Sequence, residues 1–167
     1  MGAVNNLLLG RTKLGTIFRI TLLLVFLLFP FFRFFDTLYV SGDSMFPTYN
    51  NGDLLLVQKM YVTRGDWSPH RYDIVSIHRS TGEEWIKRVV GLPGDHIKYG
   101  TCRLWVNGIR DYEYEYIQEN ELPRSTVIMV DITVPENHVW VIGDNRNYSA
   151  HSLIHIQDIK GKVVHFE

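Results

Sequence analysis

The feature that most restricts this chain is an apolar run near its start. From Ile17 to Val40 it reads IFRITLLLVFLLFPFFRFFDTLYV. The charge-free stretch from Ile20 to Phe32 covers ~20 Å as a helix, short of the ~30 Å hydrocarbon core of a bilayer. Extended to Leu14 and Phe35, the segment reaches about 22 residues, enough to span. Arg19 and Arg33 then fall near its two ends, where long basic side chains reach the headgroups. Pro30 is tolerated near the outer end, with a kink. Two alternatives are a cleaved signal peptide and an interfacial or buried helix. The first is disfavoured because Phe34, Phe35 and Asp36 follow the run, where a small-x-small site is needed. Arg11, Lys13 and Arg19 flank the N-terminal side with no acid among them. The positive-inside rule then makes residues 1–13 cytoplasmic, 14–38 a single-pass anchor in the cell membrane, and 39–167 an extracytoplasmic domain.

The rest of the chain is long enough for one compact domain. Hydrophobic residues make up 46% of the 167, which excludes a disordered chain. Seventeen basic and 18 acidic residues leave a formal net charge of -1, so no basic excess points to nucleic acid. The single cysteine, Cys102, can form no internal disulfide, and no Cys cluster offers a zinc site.

After the anchor come short apolar runs separated by turn chemistry. Residues 53–58, 74–78, 84–90, 103–106, 138–142 and 161–166 read as strands rich in Val, Ile and Trp. Asn50-Asn51-Gly52-Asp53, Pro93-Gly94-Asp95 and Pro135-Glu136-Asn137 mark turns, and Trp105-Val106-Asn107-Gly108-Ile109 signals a hairpin. No helical period stands out beyond the anchor, which makes the outer part all-β. The polar, acidic stretch 111–126 reads as an extended edge segment or a loop.

Three segments carry candidate chemistry. Ser41-Gly42-Asp43-Ser44-Met45-Phe46-Pro47-Thr48 follows the anchor directly. By composition alone it is a turn. In Glu84-Trp85-Ile86-Lys87-Arg88-Val89-Val90-Gly91 a lysine interrupts an apolar strand. Alternation sets Trp85, Lys87 and Val89 on one face and Ile86, Arg88 and Val90 on the other. If Trp85 and Val89 face the core, Lys87 does too; in the opposite register it is an ordinary solvated charge. Gly143-Asp144-Asn145-Arg146-Asn147-Tyr148-Ser149 is a polar loop after an apolar strand. By itself it reads equally as a surface turn.

In this order, the segments resemble the type I signal peptidases, the Ser–Lys proteases of the S26 family, in their short bacterial form. The motifs are S-G-D-S-M-x-P-T, Y-D-I-V at Tyr72–Val75, K-R-V-V-G-L-P-G-D at Lys87–Asp95 and G-D-N-R-x-x-S at Gly143–Ser149. The resemblance implies a mainly β catalytic domain of two antiparallel β-sheets behind one N-terminal transmembrane helix. It implies a membrane-bound serine endopeptidase that cleaves signal peptides from exported precursor proteins. Ser44 becomes the nucleophile and Lys87 the general base, a role that needs a lysine pKa well below ~10.4. Ser149 matches the serine whose hydroxyl orients that amine, and Asp144 the acid paired with Arg88. Gly42 stands where some relatives carry a hydroxyl donor to the oxyanion, which leaves the Ser44 N–H. Met45 and Pro47 either shape the substrate cleft or simply pack. The expected partners are precursor proteins and membrane lipid, not nucleic acid, for a monomer with no cofactor and no metal.

The match fails in places. Relatives continue S-x-D-S-R where this chain has Ser149-Ala150-His151-Ser152-Leu153, and Tyr72 replaces a usual glycine. Two readings therefore stay beside the first: a specialised processing peptidase of a conjugation or organelle system, and an inactive anchored relative that binds exported segments.

Overall fold

The structure, a computed structural model, describes residues 13–59, 68–79, 81–117 and 130–164. Helix α1 (Lys13–Phe34) holds the apolar run. Its 22 residues extend for ~33 Å, which matches a bilayer core. Exposed apolar side chains, from Leu22 to Phe29, line it without a polar face, as expected where lipid is the solvent.

The helix ends sooner than the expected anchor of 14–38. Residues Phe35–Tyr39 form strand β1 instead. Asp36 and the β-branched Thr37 are poor helix formers, and Asp36 Oδ1 accepts from the Thr37 N–H at 2.9 Å. The chain accordingly divides into two compact units, 1–35 and 36–167. Residues 1–12 of the expected cytoplasmic stretch lie outside the described residues. So do 118–126 of the polar segment and the end of the strand expected at 161–166.

The second unit is two antiparallel sheets. The remaining strands are β2 (Leu54–Lys59), β3 (Ile74–His78), β4 (Glu84–Gly91), β5 (His96–Gly100), β6 (Arg103–Val106), β7 (Ile109–Asp111), β8 (Val130–Thr133), β9 (His138–Ile142), β10 (His151–His155) and β11 (Ile159–Val164). The large sheet runs β1-β2-β11-β3-β4-β9-β10, and the small one β7-β6-β5-β8. The hairpin expected at 105–109 forms as β6–β7, with Asn107 at φ +53° and Gly108 at φ +82°. Two left-handed residues are what a two-residue hairpin turn requires.

Strand β4 is central to three buried clusters. Val89 and Trp85 pack with Val75, Val139 and Val141. Ile86 joins Met45, Leu55, Val57 and Val163. Val90 meets Ile97, Leu104 and Trp140, which tie the two sheets together. Both faces of β4 are thus covered from Ile86 to Gly91, and alternation buries Lys87 and Arg88 on opposite sides.

Candidate active site

The turn after β1 is fixed from both ends. The Val40 N–H donates to Asp53 O at 2.9 Å, and the Gly42 N–H to Asn51 Oδ1 at 3.0 Å. Gly42 sits at φ +84°, where a side chain is strained, so glycine serves the backbone here. Met45 is buried against Leu55 and Ile86 and pins the preceding residue, Ser44, beside β4. Lys87 Nζ lies 2.7 Å from Ser44 Oγ.

Lys87 is 5% exposed. Burial pushes its amine from 10.5 down to about 8, with Asp144 pulling it partly back. The Trp85 ring lies 5.5 Å from Nζ and supplies part of the apolar enclosure. The hydrogen-bonded ladder between β4 and β9 begins only at Arg88, so Glu84–Lys87 pair with β3 alone among the described strands. A cleft of about 230 Å³ opens along this stretch, lined also by Ser41, Ser44, Met45, Tyr148 and Ala150. Met45 therefore serves both core and cleft. Pro47 is exposed and does not line the cleft.

The Gly143–Ser149 loop closes over the other side of Ser44. The Asn145 N–H donates to Ser44 O at 3.1 Å, and Asn145 Nδ2 to Asp43 O at 3.1 Å. Asp144 takes a bidentate pair from Arg88, Nε to Oδ1 at 2.8 Å and Nη2 to Oδ2 at 2.7 Å. This is the contact the sequence led us to expect. Thr48 Oγ1 also donates to Asp144 Oδ2 at 2.5 Å, and Arg88 Nη1 to Tyr72 O at 2.9 Å.

Ser149 is placed differently from expectation. Its hydroxyl accepts from the Gly143 N–H at 2.6 Å and donates to Ala150 O at 2.9 Å. Among the described residues it makes no hydrogen bond to Lys87. Its visible work is to close the loop: a Cβ on Gly143 would stand 2.2 Å from Ser44 O and 2.3 Å from Ser149 Oγ. The Ser44 N–H has no acceptor among the described residues and remains able to donate.

The departures from the family motif are absorbed by packing. His151 lies between the rings of Tyr99 and Trp140, at 4.6 and 5.1 Å, and burial lowers its pKa. Leu153 packs against the same cluster. His155 meets the His138 ring edge-on at 4.8 Å. Sequence reasoning passed over Tyr114 and Tyr116. Tyr116 bridges the loop by exchanging backbone hydrogen bonds with Asp144 and Arg146, and its ring meets Phe46 at 4.9 Å. Their only signal was the Tyr–Glu alternation from 112 to 116, which does not say what it packs against.

The model of the family described as signal peptidase, peptidase S26, matches residues 12–166. A signal peptidase I from Bacillus caldolyticus is 35% identical over 142 residues, 77% of each chain. Signal peptidase I P of Bacillus subtilis subsp. natto is 38% identical over 157 residues, 85% of this chain and 80% of its own. Signal peptidase IB of Staphylococcus aureus is 30% identical over 158 residues, 82% of this chain and 80% of its own. Among solved structures, a signal peptidase I from Enterococcus faecalis V583 aligns with a TM-score of 0.43 at 24% identity, over 59% of this chain and 98% of that one. With the family model matching nearly every residue and such relatives aligned over most of both lengths, the chain belongs to the S26 signal peptidase family.

Proposed function

We propose that this protein is a membrane-anchored serine endopeptidase that removes signal peptides from exported precursors, with Ser44 as nucleophile and Lys87 as general base. One observation carries the reading: a buried amine with its pKa lowered to about 8 lies 2.7 Å from a serine hydroxyl at the edge of an open cleft. A serine hydroxyl needs a base to become a nucleophile, and a lysine is a base only when neutral.

The free edge of Glu84–Lys87 can pair with an extended substrate, so that main-chain hydrogen bonds hold it and side-chain pockets choose it. Ser44 Oγ attacks the scissile carbonyl and its proton passes to Lys87 Nζ. The carbonyl oxygen becomes an oxyanion facing the Ser44 N–H. As the tetrahedral intermediate collapses, the peptide C–N bond breaks and Lys87 returns the proton to the departing amine. Water then attacks the acyl-Ser44 ester with Lys87 again as base, which releases the acid and restores the hydroxyl. Met45, Trp85, Ile86 and Tyr148 give the cleft its apolar walls, and its small volume of about 230 Å³ suits small residues next to the scissile bond.

In this reading the N-terminus is cytoplasmic, the β-domain lies on the outer side, and the chain acts as a monomer in contact with lipid and without nucleic acid. Arg11, Lys13 and Arg19 support that orientation.

The test is cleavage of precursors with Ala-x-Ala sites by the purified protein. The wild type cuts several unrelated precursors, while Ser44→Ala and Lys87→Ala each lose roughly 10³-fold or more in kcat. Near-normal cutting by Lys87→Ala would remove the lysine from the mechanism, and cutting of one precursor alone would mark a specialised peptidase.

A further inference from the structure

Two tyrosines hold left-handed backbone conformations, Tyr72 at φ +73° and Tyr114 at φ +53°. Bulky residues are uncommon there and persist only where their surroundings fix them. Both converge on one group. The Tyr114 ring lies 3.7 Å from Arg88 Cζ, and the Tyr72 carbonyl accepts from Arg88 Nη1 at 2.9 Å. The two rings meet at 5.4 Å, and the Tyr72 hydroxyl donates to Asp111 Oδ2 at 3.3 Å. A cavity of about 500 Å³ opens over Arg88 between Tyr72, Asp73, Tyr114 and Lys162. Without the Tyr114 ring, water from that cavity would reach the guanidinium face.

Arg88 leads to the candidate active site in two steps. Its guanidinium grips both oxygens of Asp144. Asp144 accepts from Thr48, and the adjacent Asn145 binds the backbone oxygens of Asp43 and Ser44. The turn carrying Ser44 therefore hangs from the Arg88–Asp144 pair.

We propose that Tyr72 and Tyr114 are positioning residues for the Ser44–Lys87 pair, forming a two-ring cap that keeps Arg88 seated on Asp144. This rests on the proposed function. The cap also bears on the base. Asp144, in the β9–β10 loop, favours the protonated amine of Lys87, and Arg88, on β4 itself, is its counter-charge. The amine's other close neighbours, Ser44 and Trp85, are uncharged. Around the cap lie Asp111, Glu113 and Arg71, and the Lys162–Asp73 pair lines the cavity. Loosening Arg88 leaves Asp144 less compensated, so Lys87 holds its proton to higher pH.

The test is the pH dependence of kcat and KM for the full chain in detergent micelles, with an Ala-x-Ala precursor as substrate. For Tyr114→Ala, kcat near neutral pH should fall about tenfold while KM stays within about twofold. Its acidic limb should move up by roughly half a unit. Tyr114→Phe should restore both, because the ring face, not the hydroxyl, meets Arg88. Tyr72→Gly relieves the strain at φ +73° but loses the packing of its ring, and should show the same lowered kcat and shifted limb. Wild-type kcat and limb in Tyr114→Ala would overturn the proposal. So would a kcat loss in both variants that tracks a fall in unfolding temperature with the limb unmoved. Ser44→Ala run alongside separates the two levels: if it cuts like the wild type, the proposed mechanism itself has failed.

Discussion

Lys87 is pulled two ways by its burial. The proton released on desolvation makes the amine a base, and the same desolvation weakens the fold. Its pKa is about 8 in the folded chain against 10.5 for the free side chain. The unfolded chain therefore binds this proton more tightly. Stability should rise with pH between about 8 and 10.5, and below about 8 the cost stands at its full value, about 3 kcal/mol. Lys87→Met, similar in length and without charge, should be more stable than the wild type at pH 7, with the gap closing as pH approaches 10.5. Urea denaturation across this range measures it, and a destabilised Lys87→Met at pH 7 would contradict the account. Activity should run with the same proton: kcat/KM should rise through about pH 8, and Lys87→Arg should be inactive because guanidinium stays charged. Alternation left the burial of Lys87 open between two registers; the structure covers both faces of β4 from Ile86 onward, so Lys87 is buried in either case. The hydrogen bonds of Ser149 were not legible, because a motif names a residue without saying which of several nearby backbone groups its hydroxyl will choose.

At the scale of elements, β4 and the Gly143–Ser149 loop act together. Arg88 is 4% exposed and Asp144 0%. Removing one member of such a pair leaves a buried charge without its counter-ion, at about 3–5 kcal/mol, whereas replacing both with apolar groups of similar volume is far milder. Asp144→Ala should thus destabilise strongly, and Arg88→Met combined with Asp144→Leu should recover most of that loss in urea titrations while activity stays low. Additive losses in the double variant would show that the two side chains do not act as a pair. The pair was legible because both residues lie in motifs. The strands around it were only half legible. β1 was hidden at the end of the apolar run. β5 escaped because it joins β6 through Thr101-Cys102, which adopt φ +51° and +61° without the usual Gly or Asn. β10, HSLIH, and β8, VDIT, carry too few apolar residues to stand out, since each lies at the end of its sheet. Tyr72 was noticed as an odd replacement for glycine, and its φ of +73° shows why glycine fits that position.

For the molecule as a whole, the apolar helix and the Ser44–Lys87 pair belong to separate units of the chain. The boundary between 35 and 36 falls inside the first residues of β1, and among the described strands β1 is an edge strand paired with β2 alone. All residues of the Ser44–Lys87 site and its supporting loop lie in 36–167. A protein lacking 1–34 should therefore fold, cut a soluble Ala-x-Ala peptide with kcat/KM within about threefold of the full chain, and leave the membrane fraction. Extending the deletion through Tyr39 removes β1 as well. That would expose the β2 edge, where Leu54 is already solvent-facing and Leu55 and Val57 belong to the core that seats Met45. An uncovered apolar edge pairs with other chains, so this second protein should aggregate and lose activity through Met45 and its neighbour Ser44. Sedimentation and peptide cleavage on the two truncations side by side decide the matter. Equal behaviour would mean that β1 contributes nothing to holding the site, and loss of folding in the shorter deletion would mean that the helix is part of the catalytic fold.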